Sequence, residues 1–262
     1  MQMFQACKQG NLSKLQQMNN YDMSTNLSLA DKYGMTPLHL STQYNHLHII
    51  QWLNDHGAAQ DVSTKESTFG RTPLFTACQL GFLTIVEWLH KNGAANDITE
   101  TDNTGITPLY IACQANNIEV CRYLYRNGGA KDLLRPANDG FTPMLAACEE
   151  NNLEIVKWIY EQERRDKGGS NESGSESEVC ESVTQADHEG WTPMYVACQV
   201  GCLELVQWLY DHDAEKDIIK RINNGQTPLD IAKLKSNLEV VDWLIEHNGH
   251  IIPHSYYYHH NN

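Results

Sequence analysis

GRTPLFTACQLGFLTIVEWLHKNGAA, from Gly70 to Ala95, spells out one structural unit. Gly70 admits the positive φ of a tight turn. Two residues on, the Thr72 hydroxyl suits an N-cap, where it accepts a bond from a free backbone N–H. Pro73 suits the first helical position, where its missing donor is not needed. A short helix therefore starts at Pro73. After Gly81 comes LTIVEWL, Leu83 to Leu89, with apolar residues at i, i+2, i+3, i+5 and i+6, which predicts a second helix. Gly93 sits where a helix C-terminus takes left-handed backbone. The unit reads as helix, tight turn, antiparallel helix and turn-forming connector.

The unit recurs. Thr-Pro appears at Thr36, Thr72, Thr107, Thr142, Thr192 and Thr227, at spacings of 36, 35, 35, 50 and 35. A turn glycine precedes each by two residues: Gly34, Gly70, Gly105, Gly140, Gly190 and Gly225. Second apolar segments begin at Leu47, Leu83, Ile118, Leu153, Leu203 and Leu238. A copy without Thr-Pro opens the chain, because Ala6-Cys7-Lys8-Gln9-Gly10-Asn11-Leu12 aligns with Ala77-Cys78-Gln79-Leu80-Gly81-Phe82-Leu83. A repeat of this kind cannot bury its apolar face alone and must stack on its neighbours.

This pattern of turn glycine, Thr-Pro-Leu, alanine and a closing Gly-Ala closely resembles the ankyrin repeat. The resemblance implies an all-α solenoid of stacked helix–turn–helix units with β-hairpin-like finger loops. The tally is seven repeats within residues 1–250, starting near 2, 31, 67, 102, 137, 187 and 222. Their period of 35 exceeds the usual 33 or so, so each finger should be slightly long. The spacing of 50 places 15 extra residues between repeats five and six, and residues 163–185, rich in Gly, Ser and Glu, are expected to form a mobile insert. Residues 251–262 form a His/Tyr-rich tail.

Cys7, Cys78, Cys113, Cys148 and Cys198 occupy the slot where the ankyrin pattern often has a second alanine, and are expected to pack as small hydrophobes. There is no C-x₂-C pair to suggest zinc, and thiols about one repeat apart are too far separated for bridging. Cys180, in the insert, is the thiol expected to be exposed. Trp52, Trp88, Trp158, Trp208 and Trp243, with Tyr123 in the equivalent place, form a stripe expected to be stacked core. His254, His259 and His260 lack a carboxylate or cysteine beside them, so no metal is expected. Ser173 and Ser175 each have a glutamate three residues later, a pattern open to acidophilic kinases.

A finger that served only as a solvated connector should be polar. Here Met35, Arg71, Ile106, Phe141 and Trp191 directly follow the turn glycines, and Tyr33 and Phe69 precede theirs. Apolar and aromatic side chains dominate interface hot spots. The alternative is that neighbouring fingers shield one another. The resemblance also implies binding by the concave face of the first helices. That adds Tyr44, Leu80, Glu149, Glu150 and Val200, beside a ladder of Gln43, Gln79, Gln114 and Gln199. The family often has histidine after Thr-Pro-Leu, and here only His39 keeps it. Phe75, Tyr110, Leu145, Tyr195 and Asp230 replace it, so ring packing must stand in for the hydrogen bonds.

The chain has 262 residues, 41% of them apolar, enough for a sizeable core. Its formal charge is 19 basic minus 33 acidic residues, or −14, which disfavours phosphate backbones and anionic membrane surfaces. No signal-peptide pattern or run of about 18 apolar residues is evident, so an intracellular, cytoplasmic setting without membrane insertion is expected. No G-x-x-x-x-G-K-[ST], G-x-S-x-G or H-E-x-x-H occurs. The expectation is a monomeric, non-catalytic scaffold or adaptor that binds a protein partner without cofactor, metal or nucleic acid. The alternative is an acidic regulatory module that masks a basic segment of its partner.

Overall fold

The computed structural model describes residues 2–21, 26–168 and 179–251. Among these residues there are fourteen α-helices and no strand. They pair along the chain as α1 (Gln2–Lys8) with α2 (Leu12–Tyr21), α3 (Pro37–Gln43) with α4 (Leu47–Leu53), α5 (Pro73–Leu80) with α6 (Leu83–Lys91), and α7 (Pro108–Gln114) with α8 (Ile118–Arg126). The series continues with α9 (Pro143–Glu149) and α10 (Leu153–Asp166), α11 (Pro193–Val200) and α12 (Leu203–Leu209), then α13 (Pro228–Leu234) and α14 (Leu238–Ile251).

Every Thr-Pro works as its chemistry predicts. Thr36, Thr72, Thr107, Thr142, Thr192 and Thr227 are extended N-caps, and each hydroxyl accepts the backbone N–H three residues on. The third helical residue closes a capping box only in α3, through His39, and in α13, through Asp230. In between, Phe75, Tyr110, Leu145 and Tyr195 are buried, so packing replaces the reciprocal bond. The turn between paired helices needs one left-handed residue. Gly81 and Gly201 supply it in two pairs, and Asn45, Asn116 and Asn151 supply it in others, asparagine being the residue after glycine that tolerates this region best.

The chain divides into two units, Met1–Asn138 and Asp139–Asn262. In the first, α1, α3, α5 and α7 lie side by side, and in the second α9, α11 and α13 do. Each unit is an all-α stack of helix pairs. Leu38, Leu74 and Leu109 fill the same core layer of the first unit, and Ile155, Leu205 and Val240 fill a second-helix layer in the other. Truncating one of these leucines to alanine leaves a cavity that costs about 2–5 kcal/mol.

The expected mobile insert is packed at both ends. Helix α10 runs on to Asp166, longer than the other interior second helices. Buried Glu163 accepts the backbone N–H groups of Glu181 and Ser182 at 2.7 and 3.0 Å and pairs with Lys167 at 3.0 Å. Cys180 is not exposed, contrary to the sequence expectation: it is buried beside Val183, and burial raises its thiol pKa to about 11. The reason is tertiary, since the Glu163 carboxylate collects this returning segment onto the stack. Ser173 and Ser175 lie outside the described residues, as do His254, His259 and His260.

Candidate partner-binding surface

The fingers are built around carboxylates that accept backbone N–H groups. Asp31 accepts from Tyr33 and Met35 at 2.8 and 3.0 Å, and Asp102 from Thr104 and Ile106 at 2.9 and 3.1 Å. Asp187 accepts from Glu189 and Trp191 at 2.9 and 2.7 Å. In the Gly70 finger, Glu66 does the same for Thr68, Phe69 and Arg71, at 2.6, 2.7 and 3.2 Å. Burial opposes the Glu66 charge, but these donors outweigh it and hold the carboxyl below its usual pKa.

Neighbouring fingers are joined by their backbones. The carbonyls of Tyr33, Phe69 and Thr104 accept from Ser67, Asn103 and Asn138 at 2.8–2.9 Å in the first unit. Those of Asp139 and Glu189 accept from His188 and Asn223 at 3.2 and 3.0 Å in the second. The approach is close enough that a Cβ on Gly34, whose φ is +77°, would meet the Ser67 backbone nitrogen at 2.6 Å. A residue preceding a turn glycine thus has its carbonyl tied inward while its side chain faces solvent.

This geometry sorts the candidate residues into three rows. The row before the glycines is exposed: Tyr33 and Phe69 are each 51% accessible in the first unit, and Asp139 and Glu189 take the same place in the second. The row after the glycines is half-buried. Met35, Ile106 and Phe141 are each partly covered, and Trp191 meets Tyr195 at 5.5 Å. Arg71 sits 4.7 Å over the Phe69 ring and 5.1 Å over Phe75 while pairing with buried Asp102 at 3.4 Å. It ties its own finger to the Gly105 finger. The third row, at the ends of the first helices, is exposed: Tyr44 (44%) and Leu80 (42%) in one unit, and Glu149, Glu150 and Val200 in the other. Partial burial, then the charge of Glu150, raise the Glu149 pKa.

Several features were missed in the sequence. Asn117 donates to the carbonyls of Cys78 and Gln79, both at 3.0 Å, and Asn237 does the same for Cys198 and Gln199 at 2.9 and 3.0 Å. The recurrence of asparagine just before the second helix was the available signal. Of the tryptophan stripe, Trp158 is buried, but Trp52, Trp88, Trp208 and Trp243 are half-buried at the surface. His56, His212 and His247, four residues later, stack on three of them at 3.9–4.5 Å, and each Nδ1 donates to the tryptophan's own carbonyl. Cys113 has a close partner outside the cysteine slot, Cys121 of the paired helix α8, with the sulfurs 3.7 Å apart. Burial pushes the Cys113 thiol pKa well up, which suits packing rather than chemistry. Among the described residues, no three His, Cys, Asp or Glu side chains converge to hold a metal ion.

A family model for ankyrin repeats in three copies matches residues 3–102, 85–169 and 172–254. The chain belongs to the ankyrin-repeat family. No curated protein matches it. Ankyrin repeats are protein–protein interaction modules and are generally non-enzymatic. Among the described residues of this ankyrin chain, no helix is long and apolar enough to cross a membrane.

Proposed function

We infer that the chain is a non-catalytic, monomeric scaffold or adaptor that holds a protein partner against the fingertips and first-helix ends of residues 1–138. Its seven helix pairs act as seven repeats, its setting is cytoplasmic, and its charge favours protein over nucleic acid. The observation that carries this reading is the exposure of Tyr33, Phe69, Tyr44 and Leu80 in one unit, on backbone already tied down by hydrogen bonds. A preformed surface loses little conformational freedom when it binds, and exposed aromatic rings supply the area that hot spots need.

The test is affinity capture by Tyr33→Ala/Phe69→Ala beside wild type. Both residues are exposed, so stability should change by no more than about 0.5 kcal/mol, with an unaltered circular dichroism spectrum. The captured proteins should fall at least about tenfold, since two hot-spot truncations cost about 2 kcal/mol each. Equal capture by both forms would overturn the reading.

A second reading rests on residues 139–262, where Asp139, Glu189, Glu149 and Glu150 are exposed. This acidic surface suits a mask for a basic segment. Binding that collapses between low and physiological salt favours the mask, and salt-insensitive binding favours the apolar fingers.

A further inference from the structure

On the second-helix side of residues 139–262, α10 and the end of α12 line an open cleft of about 410 Å³. Its floor is a set of aromatic rings. Trp208 and His212 stack at 4.2 Å with planes 14° apart, and Tyr160 meets both edge-on at 5.3 Å. The floor is pinned. His212 Nδ1 donates to the Trp208 carbonyl at 2.7 Å, and the Tyr160 hydroxyl donates to Asp213 at 3.3 Å. That carboxylate also accepts from the Cys180 backbone N–H at 3.2 Å, so it is turned inward.

The wall is cationic. Lys157, Glu161, Arg164 and Arg165 stand at i, i+4, i+7 and i+8, on one face of α10. Three cations face one carboxylate in a chain whose net charge is −14. Glu161 pairs with Arg165 at 3.5 Å, which still leaves Lys157 and Arg164 as uncompensated positive charges on the wall. The Arg164 guanidinium lies 5.8 Å over the Tyr160 ring. The same unit holds an internal comparison. Tyr210, Trp243 and His247 form an equivalent ring set at 5.2, 5.5 and 3.9 Å, but α12 ends at Leu209 and brings no arginine to it. Arg164 and Arg165 are in place because α10 is two turns longer than α12.

We propose that this cleft is a second binding site, separate from the fingers, for an acidic peptide segment of a protein partner. Its carboxylates meet Lys157, Arg164 and Arg165, while an aromatic or aliphatic side chain lies on the Trp208–His212 stack. Arginine forks hold carboxylates in bidentate geometry, and the rings give apolar area that is already ordered. The open mouth suits an extended chain lying across it better than an enclosed small molecule.

The test is fluorescence anisotropy on the full chain with a short fluorescein-labelled peptide of glutamates around one phenylalanine. Wild type should bind it, and Arg164→Glu/Arg165→Glu should lose at least about tenfold in affinity. Both arginines are exposed, and an unchanged circular dichroism melt checks the fold. Lys91→Glu/Arg126→Glu, an equal charge change on exposed residues of the other unit, should alter binding by less than about twofold. Tyr33→Ala/Phe69→Ala should leave it unchanged, so failure here and failure of the fingertip reading are separable. No binding by wild type, equal loss in both charge-reversed variants, or equal binding of a lysine peptide would overturn the proposal. So would duplex DNA binding as tightly with the same loss in Arg164→Glu/Arg165→Glu.

Discussion

Residues 1–138 and 139–262 build the same finger, with a carbonyl bonded to the next finger and a threonine capping the next helix, yet they dress it differently. Tyr33 and Phe69 stand where the second unit has Asp139 and Glu189, and Tyr44 and Leu80 stand where it has Glu150 and Val200. The difference has little bearing on folding. Side chains in these rows point into water, so changing them leaves the caps, the αL turns and the core layers intact. The lesson is that backbone hydrogen bonds carry the scaffold, which leaves the exposed positions free to set the partner.

The largest expected effect tests whether the two units are separate folding bodies. Val120 is buried in the middle of α8, and Val120→Pro removes a helical hydrogen bond and clashes with the preceding turn, costing about 3 kcal/mol or more. Urea unfolding followed by far-ultraviolet circular dichroism should then show residues 1–138 melting first while 139–262 holds its own transition. A single transition displaced as a whole would merge the two units.

A smaller effect contrasts two finger turns. Glu66→Ala leaves three backbone N–H groups without their acceptor and should cost about 2 kcal/mol. In the Gly140 finger, Ala137 occupies the matching position, and the Asp139 side chain accepts from Phe141 instead at 2.9 Å. Asp139→Ala should therefore cost no more than about 1 kcal/mol. Equal costs in chemical denaturation would mean that the carboxylate is not what holds the turn.

The smallest effect concerns the two capping boxes. Burial lowers the His39 pKa, against opposing contributions from the Arg71 and Thr64 carbonyls and from Glu66 and Asp31. A lowered folded pKa gives stability that is present above the unfolded histidine value and is lost as pH falls through the folded one. At the other box, the Thr227 hydroxyl and backbone N–H hold the Asp230 carboxyl below its usual range. Its contribution persists until pH falls below the ordinary carboxylate range. Melting temperature against pH should decline earlier for wild type than for His39→Phe, which takes the residue found at Phe75. Parallel curves would remove His39 from the acid response.

The helix starts were legible because their causes are local: a glycine, a threonine hydroxyl and a proline lie within four residues of one another. The repeat period and the family followed from the same motif. The candidate surface was legible in part. Apolar fingers are evident in the sequence, but nothing local distinguishes the row before the turn glycine from the row after it. Trp191 drew attention as the largest ring, yet it lies half-buried against Tyr195, while Tyr33 and Phe69 protrude. The tryptophan stripe has the spacing of core, yet Trp52, Trp208 and Trp243 are half-buried with a histidine stacked on each.

By itself, then, the sequence determined where each Thr-Pro helix begins and which family the chain joins, because caps, turns and left-handed residues act over a few bonds. Only the tertiary structure decided which side chains meet water. Exposure at Phe69, burial at Cys180 and the arginine wall over Trp208 all depend on what a segment distant in the chain lays beside them, and no local signal encodes that neighbour.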